Sequence, residues 1–177
     1  MNILISGGCK NGKSFFAQQQ ARQQADELGV PLYYLATMIP VDGEDRDRIR
    51  RHVREREGWG FITVEQGIHI LEALNAADPS GVFLLDSVTA LLSNEMFDDR
   101  GRADVNAPER VSRELAAFAE RTGNTIFVSD YIYGDAGSYP LLTENYRAGL
   151  ALCDRSLARI CDQVVEVSYG NVNYFKR

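Results

Sequence analysis

Five short apolar runs, rich in β-branched and aromatic residues, recur along the chain at 2–6, 31–36, 82–86, 124–129 and 163–168. Each is short enough for a buried strand. Between them lie amphipathic stretches at 14–28, 44–57, 67–77, 108–121 and 140–161, which predict helices. Several of these close on glycine, as at Gly29 and Gly123, a common way to end a helix. The alternation of strand and helix predicts an α/β fold: right-handed βαβ units building a mostly parallel sheet with helices on both faces. At the end, Gly170-Asn171 separates Val164–Ser168 from Val172–Phe175, which predicts a C-terminal antiparallel hairpin. The Asp, Gly, Arg and Pro residues of Asp98–Pro108 predict a long surface loop. No internal repeat or linker interrupts the pattern, so residues 1–177 are expected to form a single domain.

Composition narrows the function classes. With 45% hydrophobic and 25% charged residues, the chain has enough apolar surface to build a packed core. Its 25 acidic and 19 basic residues leave a net charge of −6, which argues against the broad positive field of a sequence-blind nucleic-acid binder. Any polyanion must be met locally. The N-terminus runs from Met1 through Ser6 straight into glycines, without the basic flank or cleavage pattern of a signal peptide. No apolar stretch approaches the roughly 20 residues of a membrane span, so a cytoplasmic protein without a transmembrane segment is expected. Cys9, Cys153 and Cys161 read as reduced thiols, because the last two lie about 12 Å apart along one helix, too far to bridge.

The most informative segment is Gly7-Gly8-Cys9-Lys10-Asn11-Gly12-Lys13-Ser14, which fits G-x-x-x-x-G-K-[ST] between a predicted strand and a predicted helix. Its glycines allow a tight turn whose backbone N–H groups face inward, and the helix that follows adds its positive end. Such a loop cradles the phosphates of GTP or ATP. Lys13 would reach the β- and γ-phosphates as a catalytic group, and the Ser14 hydroxyl would ligate Mg²⁺. Asp86 ends the run Val82-Phe83-Leu84-Leu85 at the carboxyl edge of the sheet, where ligands gather, and offers a second Mg²⁺ ligand. It could equally cap a helix beginning near Ser87. Asp130 ends the next run in the same topological position, as a site residue or a turn residue.

Six arginines crowd the segment Arg46 to Glu57, around a single histidine, His52. On a helix anchored by Ile49 and Val53, guanidiniums such as Arg51 and Arg56 could hold a triphosphate while the imidazole acts as nucleophile. The alternative is a solvated face laced by pairs such as Arg51 with Glu55. His69, on the apolar pattern Gly67-Ile68-His69-Ile70-Leu71, reads as structural.

Taken together, these segments resemble the bifunctional adenosylcobinamide kinase / adenosylcobinamide-phosphate guanylyltransferase family of cobalamin biosynthesis. Gly7–Ser14 is similar to its phosphate loop, Tyr34-Leu35-Ala36-Thr37 to its second strand, and Arg48-Ile49-x-x-His52 with Arg56 and Trp59 to its guanylylation segment. Thr63-Val64-Glu65, and Leu84–Thr89 with Asn94, are similar to its nucleotide-contact and magnesium-side stretches. The resemblance implies a RecA-like P-loop sheet, a homotrimer, and two reactions: phosphorylation of adenosylcobinamide, then transfer of GMP from GTP through a guanylylated His52. It places Ala36, Thr37, Glu65 and Asp86 around the nucleotide, and it is the sole ground for preferring guanine. The chain departs from the family at Asp130-Tyr131, where Asn-Glu is usual, at Asp154, where Asn is common, and in the final turn Ser168-Tyr169-Gly170-Asn171, which lacks a proline. A single-activity P-loop kinase of small molecules and a nucleotide-binding regulatory module are the other functions the residues allow.

Overall fold

The computed structural model describes residues 1–98 and 102–177; the side chains of Arg48 and Glu55 lie outside that description, as does part of the expected 98–108 loop. Strand β1 (Ile3–Gly7) is the centre of the architecture, and its alternating side chains divide the core. Ile3 and Ile5 pack with Ala17, Ala21 and Ala25 of helix α1 (Lys13–Leu28), while Leu4 faces a second, larger layer. The small alanines let α1 approach the sheet closely, and Gly29, in the left-handed region at φ 67°, ends the helix as its sequence foretold.

The chain then runs β2 (Leu32–Ala36), α2 (Gly43–Glu55), β3 (Ile62–Glu65), a 3-10 turn (Ile70–Asn75), β4 (Val82–Asp86) and α3 (Val88–Met96). It continues through α4 (Ala107–Thr122), β5 (Thr125–Asp130), α5 (Leu141–Ile160), β6 (Gln163–Ser168) and β7 (Asn171–Lys176). The seven strands lie in the order β3-β2-β4-β5-β1-β6-β7, parallel except for β7, which pairs antiparallel with β6. Helices α3, α4 and α5 bring Leu91, Leu92, Leu115, Phe118, Leu150 and Leu157 onto the face opposite α1. Burying such side chains stabilises the fold by about 1.5–3 kcal/mol each. No helix among the described residues is long and apolar enough to cross a membrane.

Two elements differ from expectation. The 67–77 helix is only the 3-10 turn, because His69 sits in the left-handed region at φ 50° and Gly67 is so close to Ile39 that a Cβ there would collide with it. The strand β3 was absent from the apolar pattern, since three of its four residues are exposed at the sheet edge.

One strand, β5, intervenes between the phosphate-loop strand β1 and β4. The registers Gly7 with Asp130 and Ala36 with Asp86 align the ends of these strands on one carboxyl edge.

Candidate active site

The phosphate loop leaves β1 at Gly7, where a Cβ would collide with the carbonyl oxygen of Val167 on β6, so only glycine fits. Gly12, at φ 86°, turns the chain into α1, whose first turn carries no acidic residue to compete with an anion. Cys9 and Lys10 are exposed at the loop's tip, and Gly8 and Asn11 are half-buried. Lys13 is buried; its Nζ donates to the carbonyl of Gly8 at 3.1 Å and pairs with Asp130 Oδ1 at 2.6 Å. Asp130 is in turn fixed through its backbone N–H, which donates to Thr89 Oγ1 at 2.9 Å. The lysine is thus held at the mouth of the loop by a carboxylate that a phosphate would displace.

A cavity of about 670 Å³ opens beside Lys13 and Ser14, walled by Ala36 and Glu65, by Asp86 and Asp130, and by His52 and Arg56. Lys13, Ser14, His52, Arg56, Glu65, Asp86 and Ala36, all expected from the sequence to serve the nucleotide, therefore face one space. Arg51 does not: it is exposed and lies outside this wall. At 3.6 residues per turn it points away from the side on which α2 presents Arg46, Ile49, Arg50 and His52. Thr37 is also not in the wall. It is fully buried, its Oγ1 accepting from Ser87 N–H at 2.7 Å and donating to Ser87 carbonyl at 2.9 Å, so it locks the end of β2 to the end of β4. Asn94 extends this lock, donating to the carbonyls of Thr37 and Gly67 at 2.7 and 2.8 Å.

Two features of the wall were not assigned from sequence. Tyr34 donates its hydroxyl to Asp86 Oδ2 at 3.1 Å, and the Arg56 guanidinium stacks on its ring at 3.6 Å. Burial first, and then the Asp86 charge, push the Tyr34 phenol well above its usual range, so it remains a donor. Asp86 is oriented by this bond, and the helix cap it might have supplied comes instead from Ser87, whose Oγ accepts from Ala90 N–H at 3.2 Å. The second feature is the Met38-Ile39-Pro40 segment, an apolar lip over the cavity with no signal of its own in the sequence. His69 stands apart, half-exposed, with its N–H donated to Glu95 at 2.6 Å.

Ser14 and Asp86 offer a hydroxyl and a carboxylate to the same cavity, the hard oxygen donors that suit Mg²⁺. A nucleotide laid along this wall would meet the loop amides and Lys13 at its phosphates, and Arg46, Arg50 and Arg56 around them.

A sequence profile described as cobinamide kinase / cobinamide phosphate guanyltransferase matches residues 3–173. The bifunctional adenosylcobalamin biosynthesis protein CobU of Escherichia coli is 34% identical over 122 residues, 68% of this chain and 64% of that protein. This chain therefore matches slightly less than two thirds of that relative's length. The bifunctional adenosylcobalamin biosynthesis protein CobP of Pseudomonas aeruginosa is 29% identical over 171 residues, covering 93% of this chain and 91% of that one. Among solved structures, the flagellar accessory protein FlaH of Methanocaldococcus jannaschii superposes with a TM-score of 0.53 at 12% identity, over 99% of this chain and 77% of that one; the likeness is one of fold.

Proposed function

This chain belongs to the cobinamide kinase / cobinamide phosphate guanyltransferase family, and we propose that it phosphorylates adenosylcobinamide and then transfers GMP from GTP to the phosphate it has made. The observation that carries this is the single cavity shared by Lys13 of the phosphate loop and His52 of α2. In the first reaction the hydroxyl oxygen of adenosylcobinamide attacks the γ-phosphorus of GTP or ATP, and the nucleoside diphosphate leaves. Lys13 exchanges Asp130 for the phosphate oxygens and neutralises their charge. Ser14 and Asp86 would hold Mg²⁺, which would supply further neutralisation of the phosphate charge.

In the second reaction an unprotonated ring nitrogen of His52 attacks the α-phosphorus of GTP. A nitrogen–phosphorus bond forms, the bond to the bridging oxygen breaks, and pyrophosphate departs. The phosphate of adenosylcobinamide phosphate then displaces the histidine, leaving a diphosphate link to the guanosine. Arg46, Arg50 and Arg56 neutralise the leaving pyrophosphate. The covalent step splits a displacement between two anions into two easier ones.

We further propose a homotrimer, supported by the resemblance and by exposed apolar groups along both outer strands, Ile62 on β3 and Phe175 on β7. Sedimentation equilibrium tests it, and a monomer would exclude it.

The function is tested by incubating the protein with Mg²⁺ and α-labelled GTP. The expected product is a GMP adduct, stable to alkali and labile to acid, on the peptide containing His52. His52→Asn should lose the adduct and guanylyl transfer while retaining kinase turnover. An adduct that persists in this variant would refute the role given to His52.

A further inference from the structure

Among the described residues, three carboxylates stand in the wall of the nucleotide cavity, each at the carboxyl end of a strand: Glu65 on β3, Asp86 on β4 and Asp130 on β5. The strand order β3-β2-β4-β5-β1 ranks them by distance from the phosphate loop. Neighbouring strands lie about 4.8 Å apart, so the strand of Glu65 ends roughly 19 Å from β1, that of Asp86 roughly 10 Å and that of Asp130 roughly 5 Å. Of the three, Asp130 alone lies on a strand paired with β1, in register with Gly7. Asp86 is turned toward Tyr34, accepting from its hydroxyl at 3.1 Å.

Asp130 is anchored through its backbone. Its N–H donates to Thr89 Oγ1 at 2.9 Å, and the next amide, of Tyr131, donates to the Gly7 carbonyl at 3.0 Å. These two bonds hold the residue at the mouth of the phosphate loop. Among the described residues, the one side chain paired with its carboxylate is Lys13, at 2.6 Å. Lysines in loops of this kind address the β- and γ-phosphates, so a γ-phosphoryl group that takes over Lys13 comes to lie beside Asp130. The carboxylate is then released from its ion pair while its backbone keeps it in place. With its side chain 26% exposed, it is open to a second substrate arriving from solvent.

A hydroxyl that attacks phosphorus must lose its proton, and a carboxylate beside the γ-phosphate is suited to take it. We propose that Asp130 is the general base of phosphoryl transfer, freed for that task when the triphosphate draws Lys13 away from it. The assignment rests on the kinase reaction proposed above. A carboxylate oxygen of Asp130 accepts the proton of the cobinamide hydroxyl as an electron pair of the hydroxyl oxygen closes on the γ-phosphorus. The bond from the γ-phosphorus to the bridging oxygen breaks, and its electron pair leaves on the nucleoside diphosphate. Protonated Asp130 then returns the proton to water. Taking the proton also removes one negative charge from beside the phosphates. The ion pair thereby couples the two substrates, because Asp130 is free to act only once nucleotide has taken Lys13.

The test is phosphorylation of cobinamide by γ-labelled GTP, read as the single-turnover rate with both substrates saturating, alongside fluorescence titration with a labelled GTP. Asp130→Asn preserves shape and removes the base, so the rate should fall at least tenfold while GTP is bound no more weakly than by the parent. A smaller loss of rate overturns the proposal. So does a loss of GTP affinity together with rate, which is the mark of a residue that only positions Lys13. Should Asp130→Asn fail to fold, Asp130→Glu and Asp130→Gln, equal in length and different in charge, carry the test. The Glu variant should then react at least tenfold faster than the Gln variant, and a smaller difference overturns the assignment. A parent protein that phosphorylates cobinamide while its Asp130→Asn variant keeps the same rate overturns the base and leaves the proposed function intact. A parent that does not phosphorylate cobinamide overturns the proposed function, and the base with it.

Discussion

Lys13 and Asp130 make the smallest unit of design in the nucleotide cavity. Their 2.6 Å contact joins a buried ammonium to a half-buried carboxylate, so an incoming triphosphate must compete with Asp130 for the lysine. Asp130→Asn removes that competitor and should tighten GTP binding several-fold, whereas Lys13→Ala should abolish both nucleotide binding and turnover; fluorescence titration with a labelled GTP distinguishes them. Weaker binding in Asp130→Asn would mean that the carboxylate positions the lysine rather than opposing the phosphate. Asp154 shows the converse, a buried charge whose cost is only partly offset, by hydrogen bonds from Tyr133 and Ser129. Its pKa rises from 3.8 to about 6 through burial, so the folded state holds the proton more tightly than the unfolded state. The stability that Asp154 itself contributes is therefore greatest below pH 3.8 and declines as pH rises through about 6, by on the order of 3 kcal/mol. Asp154→Asn escapes this loss, so urea denaturation should find it more stable than the parent at pH 7.5 and no more stable near pH 4.

Among the elements, α2 is the least anchored. It is capped at Asp42, whose side chain accepts from Asp45 N–H at 2.9 Å, but none of its described side chains is fully buried, and Val53 is 52% exposed. Its firmest attachment is Arg56 at its C-terminal end, buried against the Tyr34 ring. Tyr34→Leu should release this helix, seen as faster amide hydrogen exchange over residues 43–55, and should reduce guanylyl transfer more than phosphoryl transfer. Tyr34→Phe keeps the ring and should leave exchange in α2 unchanged. The sequence foretold α2 because the stretch 44–57 is amphipathic, with Ile49 and Val53 on one side, and the glycine-to-lysine spacing at 7–14 foretold the cradle. What it hid was set by tertiary contact. A four-residue edge strand such as β3 buries too little to leave an apolar run, and the 67–77 pattern was overruled by the tight approach of Gly67 to Ile39. The roles of Thr37, and of Tyr34 with Asp86, depend on which strands are neighbours, and only the crossover order β2-β4 supplies that. Arg51 was separated from Arg46 and Arg50 by helix phase, which shows only once the side facing the sheet is known.

At the scale of the whole molecule, the two edges of the sheet are built for different ends. The carboxyl edge carries the nucleotide cavity, while the amino edge is stitched by a polar network at the start of the chain. The Met1 ammonium donates to the carbonyl of Gly123 and to Asn124 Oδ1, both at 2.6 Å, and Asn2 N–H donates to Asp162 Oδ2 at 2.7 Å. The Asn2 side chain spans two elements: its Nδ2 donates to Ala119 carbonyl on α4 at 3.1 Å, and its Oδ1 accepts from Thr125 N–H on β5 at 2.9 Å. Thr125 is fully buried, so Asn2→Ala would strand its amide without a partner, a cost of about 1–3 kcal/mol. For a chain of this size each kcal/mol lowers Tm by about 2–4 °C. Asn2→Ala should therefore melt several degrees below the parent, yet show the parent's GTP affinity and KM for cobinamide at 20 °C, because no residue of the nucleotide cavity touches the lost bonds. Lys13→Ala should do the reverse, losing nucleotide binding with little change in melting. A fall in GTP affinity in the folded Asn2→Ala protein would show that strain crosses the sheet along β1 and β5, and that the two edges are one mechanical unit rather than two.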